Sequence, residues 1–316
     1  MVEKDNEMPK IIVVCGPTGS GKTSLAVQLC KKFNGEIINA DSRQVYREMD
    51  IGTGKGEVKS EKLKVKSFGV PSAQYLEGVR IHLVNIIEPN NRYTVGQFKI
   101  NAEEAIADII SRGKVPFIVG GTGMYIDALV DNFQFSSFNF QSISNNQFSI
   151  KEKSLEELVK LLEKLDPQAL NVVDLKNRRR VEHAIEVCLA TGIPFSKQRT
   201  KGERKYKVLK LAPLVSLERE KLYEKINKRV DEMIEQGLEN EVKSLAEKYG
   251  WESEAMTGIG YREFRDESDI EKVKDKIKQD TRNYAKRQMT WFKRDKEIGY
   301  IDLKKAEMLV KDFLKK

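Results

Sequence analysis

The sequence predicts an α/β fold, a mostly parallel sheet with helices on its faces, a helical insertion and a helical C-terminal part. Three observations carry that expectation. The stretch GPTGSGKT at residues 16–23 fits G-x-x-x-x-G-K-[ST], and it stands between an apolar β-branched run and a helix-forming segment. Strand-like and helix-like patterns then alternate to about residue 131, as parallel sheets require. After residue 132 the alternation stops, and helical, charged patterns dominate to the end of the chain.

In order along the chain, KIIVVC at residues 10–15 is a continuous apolar run suited to a buried strand, and residues 23–33 have helical spacing. EIINA at residues 36–40 reads as a second buried strand ending in Asp41-Ser42, and HLVNII at residues 82–87 as a third. Residues 93–110 form a helical stretch with Thr94 as its cap, closing at Ser111-Arg112-Gly113. KVPFIVGG at residues 114–121 is a fourth strand closed by two glycines, and the helix-like TGMYIDALV follows it. Residues 132–148 are polar and aromatic, a connector whose rings are also suited to stacking on a partner. Residues 151–190 are helical, interrupted at Asp166-Pro167, with Gly192 as a natural stop. A basic linker is expected at residues 200–210, one more strand at 211–217, and mostly helix from Ser216 onward. The domains expected are therefore a core at 1–131, a helical insertion at 132–200, and a return to the core with C-terminal helices at 201–316. No internal repeat is present.

Composition narrows the class. The chain has 316 residues, 40% hydrophobic and 33% charged, as soluble globular proteins do. No apolar run approaches a membrane span, and MVEKDNEMPK lacks the apolar region of a signal peptide. Cys15, Cys30 and Cys188 form neither a disulfide framework nor a metal spacing, so a reducing cytoplasm is expected. Two histidines and no Cys/His cluster speak against structural zinc. The net charge of +8 suits a polyanion such as nucleic acid, and it suits solubility equally well.

The chemistry-bearing residues begin with the loop itself. Gly16, Thr18, Gly19, Ser20, Gly21, Lys22 and Thr23 are expected to cradle phosphate oxygens; Lys22 neutralises them, Thr23 meets a Mg²⁺, and the helix N-terminus adds its partial positive charge. Such loops usually hold ATP or GTP, but a nucleotide hydrolase also needs an apolar strand ending in an acid. The best such strand here, VPFIV, ends in glycines. Asp41 is the carboxylate best placed beside the loop; its structural alternative is a helix cap on RQVYREM, and both roles stay open. GGTGMY at residues 120–125 reads either as a tight turn or as an anion contact through Thr122. Arg178-Arg179-Arg180 lies on a helix, where a solvated basic face is the ordinary account. A second basic cluster, RNYAKRQMTWFKR, combines Arg282, Lys286, Arg287, Lys293 and Arg294 with three rings and suits stacked bases and phosphates. Trp291 is expected to face the core, and the Gln288 amide has no evident structural purpose.

Taken together, these blocks resemble the tRNA dimethylallyltransferases. GPTGSGKT, ADSRQVYREMDIGTGK, HLVNIIEPNNRYTVGQF, FIVGGTGMY, NRRRVEHAIEVCLATGIPFS, AMTGIGYRE and YAKRQMTWFKRD occur in that family's order, from residue 11 to about residue 295. The resemblance implies a P-loop NTPase-like core whose loop holds the pyrophosphate of dimethylallyl diphosphate. It implies transfer of the five-carbon group to N6 of adenosine 37 of tRNA, with Mg²⁺ as helper. Asp41 is then the general base, and Lys22, Thr23 and Thr122 stabilise charge on the departing pyrophosphate. Asp41, Ser42 and Gln44 match a tRNA-touching segment, Arg179 and Arg180 a second, and the block holding Arg282, Lys286 and Arg287 a third. A cytoplasmic monomer partnered by tRNA, with no membrane, is expected.

Three positions depart from the family pattern. Asn85 stands where an Asp is usual, His183 where an Arg is usual, and Thr257 where some relatives carry an Arg, with Arg262 as a nearby candidate. The rival readings are an adenylate isopentenyltransferase acting on AMP, ADP or ATP, a P-loop nucleotide kinase, and a non-catalytic RNA-binding protein. The basic insertion and the complete YAKRQMTW block stand against the first, and the DSRQ stretch against the second. Intact Lys22, Thr23 and Asp41 stand against the third.

Overall fold

The computed structural model describes residues 8–67, 70–134, 153–191, 194–197 and 200–315. The chain divides into two compact units, one of Met1–Val130 with Lys205–Lys316, the other of Asp131–Arg204.

The first unit opens with β1 (Lys10–Cys15), the phosphate loop, and α1 (Lys22–Lys32), then β2 (Gly35–Asn39). A hairpin of β3 (Val58–Ser67) and β4 (Val70–Leu76) leads to β5 (Val79–His82), α2 (Val95–Ser111), β6 (Val115–Gly120) and α3 (Gly123–Val130). The second unit contributes β7 (Phe133–Gln134), α4 (Leu155–Leu165), α5 (Arg178–Thr191) and β8 (Thr200–Lys201). The first unit resumes with β9 (Lys207–Pro213), α6 (Arg219–Glu235), α7 (Leu238–Tyr249), α8 (Ile270–Phe292), β10 (Ile298–Ile301) and α9 (Leu303–Lys315).

Eight strands form one sheet in the order β10-β9-β1-β6-β2-β5-β4-β3. From β10 to β5 every pairing is parallel; at the far edge the β4–β5 and β3–β4 pairings are antiparallel. The period of two along β1 explains its burial on both sides. Ile11, Val13 and Cys15 pack with α2 and α3, whereas Ile12 and Val14 pack with α1 and α9. A further apolar cluster joins Val230 and Met233 of α6, Val242 and Leu245 of α7, and Val273 and Ile277 of α8 to the segments at residues 45–49 and 255–261. Local signals agree with the packing: Thr94 and Gln97 form a capping box on α2, and Asp269 caps α8. No helix among the described residues is long and apolar enough to cross a membrane.

Four expectations about elements need correction or a limit. The strand expected at residues 82–87 ends at His82, because Leu83 and Asn85 turn out of the extended region at φ 60° and 52°. The amides of Asn39 and Gln74 take the carbonyls of Leu83 and Val84, and the N–H groups of Ile86 and Ile87 donate to the Val45 carbonyl. The strand expected at residues 211–217 is β9, four residues earlier; Leu214–Leu217 is a single 3₁₀ turn. Lys207 and Lys210 disguised it as a linker, and Lys210 is buried because Asp295 and Glu297 pair with it at 2.6 and 2.8 Å. The C-terminal region, expected to be mostly helical, also supplies the strand β10. The connector at residues 132–148 lies mostly outside the described residues, as does the stop at Gly192.

At the opposite end of the sheet from the phosphate loop, Glu36 is buried at the start of β2. Arg112 Nη2, Lys114 Nζ and His82 Nε2 reach its carboxylate at 2.7, 2.8 and 2.8 Å. Despite the burial, these partners hold its carboxyl well below the usual range.

In the second unit, Leu158 and Leu162 of α4 pack on Val181, Ala184 and Ile185 of α5. Ser154 and Glu157 cap α4 reciprocally.

Candidate active site

β1 delivers the chain into the loop, and the left-handed Gly21 turns it into α1. Gly19 is required twice over: its φ is 78°, and a Cβ there would stand 2.9 Å from Ile226 of α6. Lys22 Nζ donates to the Pro17 carbonyl at 3.3 Å. Burial pushes this ammonium down to about 8; the Asp41 carboxylate opposes the shift and the Arg229 charge adds to it. Thr23 is exposed on the first turn of α1, and Ser20 is buried beneath the loop.

Asp41 follows β2 and lies beside the loop. Its Oδ1 accepts the Arg43 N–H at 2.9 Å, an Asx turn that its short side chain makes locally. Residues 42–48 form turns with a β-bridge at Tyr46, so the helix required by the alternative reading of Asp41-Ser42 as a cap is not formed. No hydrogen-bond partner for Oδ2 occurs among the described residues. Next to it, Ser42 N–H donates to Thr122 Oγ1 at 3.0 Å, and Thr122 N–H donates to the Ala40 carbonyl at 3.2 Å. The β6–α3 turn is thereby fixed to the Asp41 segment, with the Thr122 hydroxyl against Ser42 and the Tyr125 hydroxyl turned to the Tyr93 carbonyl. Gln44 Nε2 donates to the carbonyls of Thr53 and Gly54 at 3.2 and 3.4 Å, which holds residues 53–54 against the site.

A cavity of about 280 Å³ opens between these groups. Thr18, Asp41, Ser42, Arg43, Thr53 and Arg229 line its polar part; Ile226, Val230, Met233, Ile259 and Ile277 line its apolar part. Sites of this composition, at the carboxyl ends of parallel strands, take small molecules with one charged end and one apolar end. Tyr284 also lines the cavity, its hydroxyl pushed up to about 12 by burial and by the Asp41 charge.

Arg229 is the residue that reading the sequence missed. Its Nη1 donates to Thr18 Oγ1 at 3.3 Å and its Nη2 to the Thr53 carbonyl at 3.1 Å. The signal was present: Leu222, Ile226, Val230 and Met233 form the apolar stripe of α6, and a cation three residues after Ile226 sits on that stripe. Gln288 was singled out and left unexplained; its amide spans the loop and the β6–α3 turn, accepting from Thr18 N–H and donating to the Gly121 carbonyl, each at 2.9 Å.

The departures from the family pattern find local partners. Thr257 Oγ1 accepts from Arg43 Nη2 at 3.2 Å, so the arginine that reaches Thr257 is Arg43. Arg262 lines the cavity but is committed to Glu263 at 3.0 Å and Asp280 at 2.8 Å. Asn85 accepts from the buried Lys55 and donates to Gln74.

The basic residues fall into two groups. Arg282 donates to Asn227 at 2.6 Å, Arg287 lies over the Tyr284 ring at 5.7 Å, and Lys286 is exposed. Trp291 does not face the core as expected: it is 37% exposed, and its Nε1 donates to Asp127 at 2.9 Å. It lies close against Gly123 on α3, a contact that a side chain there would block. In the second unit, Arg179 and Arg180 are exposed at the start of α5, and Arg180 pairs with Asp174 at 3.5 Å. No three-ligand metal cluster occurs among the described residues.

Comparison with known proteins gives a consistent result. A model of the IPP transferase family matches residues 44–295. The tRNA dimethylallyltransferase of Carboxydothermus hydrogenoformans is 39% identical over 308 residues, covering 95% of this chain and 94% of the relative. The tRNA dimethylallyltransferase 2 of Geotalea daltonii is 40% identical over 308 residues, covering 95% and 89%. Among solved structures, the tRNA isopentenylpyrophosphate transferase of Staphylococcus epidermidis superposes with a TM-score of 0.63 at 34% identity, covering 97% of this chain and 99% of that one. A eukaryotic dimethylallyltransferase acting on tRNA superposes with a TM-score of 0.70 at 30% identity, covering 90% and 69%.

Proposed function

This chain belongs to the IPP transferase family, the tRNA dimethylallyltransferases, and on that premise we propose that it transfers the dimethylallyl group of dimethylallyl diphosphate to N6 of adenosine 37 in tRNA. One observation carries the assignment of roles. Asp41, one of whose carboxylate oxygens has no hydrogen-bond partner among the described residues, faces the same cavity as Thr18 of the phosphate loop and the Arg229 guanidinium.

The diphosphate lies on the loop, where the backbone N–H groups, Lys22 and the N-terminus of α1 offset its charge. As the allylic C1–O bond breaks, negative charge grows on the departing pyrophosphate; Lys22, Arg229 and Thr122 stabilise it there. The N6 nitrogen forms its bond to C1 and sheds a proton to Asp41, late in the step, because an exocyclic amine is a poor acid until it is alkylated. The donor set suits a Mg²⁺ held chiefly by substrate phosphates, with the exposed Thr23 hydroxyl as its protein ligand, and the ion would neutralise pyrophosphate charge. The adenosine leaves its stack to enter the cavity, which Ser42 lines, and Gln44 of the same segment contacts the tRNA beside it. Arg282, Lys286, Arg287, Arg179 and Arg180 contact tRNA phosphates.

The test offers radiolabelled dimethylallyl diphosphate and Mg²⁺ with either unmodified tRNA or AMP, and with Asp41→Ala as control. Label on tRNA that is lost in the variant supports the substrate and the base. Label on AMP reassigns the acceptor, and ATP consumption with neither acceptor labelled overturns the reading.

A further inference from the structure

We propose that Gln288 is a positioning residue for this transfer, a clamp that sets the spacing between the leaving-group site and the base; the inference rests on the transferase reading above. Gln288 lies on α8 with only 6% of its surface exposed. Its Oε1 accepts from Thr18 N–H and its Nε2 donates to the Gly121 carbonyl, both at 2.9 Å. One partner is a donor and the other an acceptor, so only one orientation of the amide satisfies both. The next residue after Gly121 is Thr122, whose Oγ1 accepts from Ser42 N–H at 3.0 Å, and Ser42 follows Asp41. Three hydrogen bonds thus link the phosphate loop to the carboxylate through Gln288, Gly121-Thr122 and Ser42.

The backbone makes room for this link. A Cβ on Gly121 would stand 2.3 Å from Gln288 Nε2 and 3.2 Å from the Gly16 carbonyl, so only glycine lets the amide in. The clamp also takes the Thr18 N–H out of the set free to bind phosphate and turns Thr18 so that its hydroxyl accepts from Arg229. Displacement at the allylic carbon needs the incoming nitrogen and the outgoing oxygen in line. A loop that drifts relative to Asp41 therefore costs rate far more than it costs binding. The misaligned site also lets water reach the allylic carbon: C1–O breaks, water oxygen bonds to C1 and loses a proton to solvent, and dimethylallyl alcohol and pyrophosphate leave.

The test uses full-length protein, tRNA and labelled dimethylallyl diphosphate in single-turnover assays that count both prenylated tRNA and dimethylallyl alcohol. Gln288→Met keeps the bulk and removes both hydrogen bonds. It is expected to slow transfer about a hundredfold, with donor and tRNA affinities within about threefold of the unaltered protein and a larger share of alcohol. Gln288→Glu supplies a readout that loss of packing would not move. Protonated, its O–H donates to Gly121 while its C=O accepts from Thr18; ionised, it faces the Gly121 carbonyl with no proton to give. Its rate relative to the unaltered protein is therefore expected to rise as pH falls from about 8 to about 6. Transfer by Gln288→Met at the unaltered rate, a loss that only tracks its folded fraction by circular dichroism, or a flat pH ratio for Gln288→Glu overturns the clamp. If the unaltered protein itself prenylates no tRNA, the transferase reading fails first, and that outcome is distinct from all of these.

Discussion

Arg229 and Thr18 meet across the mouth of the phosphate loop, the guanidinium donating to the hydroxyl at 3.3 Å from a helix more than two hundred residues later in the chain. On the proposed mechanism the contact places a cation where the leaving group gathers charge; burial lowers its proton affinity, with the Asp41 carboxylate opposing that shift. Arg229→Ala is expected to lower kcat/KM for the diphosphate donor by about 10²–10³-fold. Arg229→Lys should recover only part, because a point charge cannot reach Thr18 and Thr53 together. Steady-state kinetics at saturating tRNA check this; an Arg229→Ala protein within a few-fold of normal would remove Arg229 from the site.

Lys22 gives the donor site a pH dependence with a definite sign. Burial brings its ammonium down to about 8 in the free protein, and the proposed diphosphate donor is expected to bind the protonated form. Below about pH 8 the charge is already present and affinity is flat; above it, binding must take up a proton, and affinity falls up to about tenfold per pH unit. Calorimetric titration of inorganic pyrophosphate across this range checks it. Lys22→Arg should flatten the curve, since arginine stays charged.

Glu36 is a stability element remote from the chemistry. A carboxyl held below its ordinary value contributes stability that is present above the unfolded pKa and is lost as pH falls through the folded one. The protein should therefore lose stability on acidification below about pH 4.5, and Glu36→Gln should lose less of it. Glu36→Ala removes the shared acceptor of Arg112, Lys114 and His82; because both cations are about a third exposed and Arg112 keeps Asp108, the cost is about 1–3 kcal/mol. Urea unfolding at two pH values measures both effects.

Binding of tRNA should weaken steeply with salt, as phosphate contacts do. Lys286→Ala and Arg287→Ala are each expected to reduce the magnitude of the log-log salt slope by about one if they touch phosphates. An unchanged slope in both would exclude the exposed face of α8 from the RNA footprint.

The sequence was most legible where local chemistry and long-range packing agree. The strand, turn and helix at residues 10–33 follow from an apolar run, glycines and helix formers, and they appear in the structure within a residue or two. Asp41 and Thr122 were legible because each ends a buried strand beside the loop. Arg229 and Gln288 were not, because their meaning lies in what α6 and α8 approach, and no local pattern encodes that. β9 was displaced by a buried lysine whose partners, Asp295 and Glu297, lie far along the chain. Trp291 was misread because a large ring is ordinarily buried, whereas here Gly123 offers it a shallow seat and Asp127 holds its N–H at the surface.

The order in which the chain is made gives this architecture a further consequence. β1 is flanked by β6 on one side and by β9 on the other, and β9 follows the whole second unit. The Thr18–Gln288 contact spans 270 residues. During synthesis the phosphate loop emerges early, with one wall of its sheet missing and its clamp still untranslated. Nascent chains arrested before α8 are expected to fail in prenyl transfer to tRNA, and the same chains extended past it to succeed. Competence for chemistry thus arrives almost at the end of translation, so an abandoned fragment carries the loop without the means to use it.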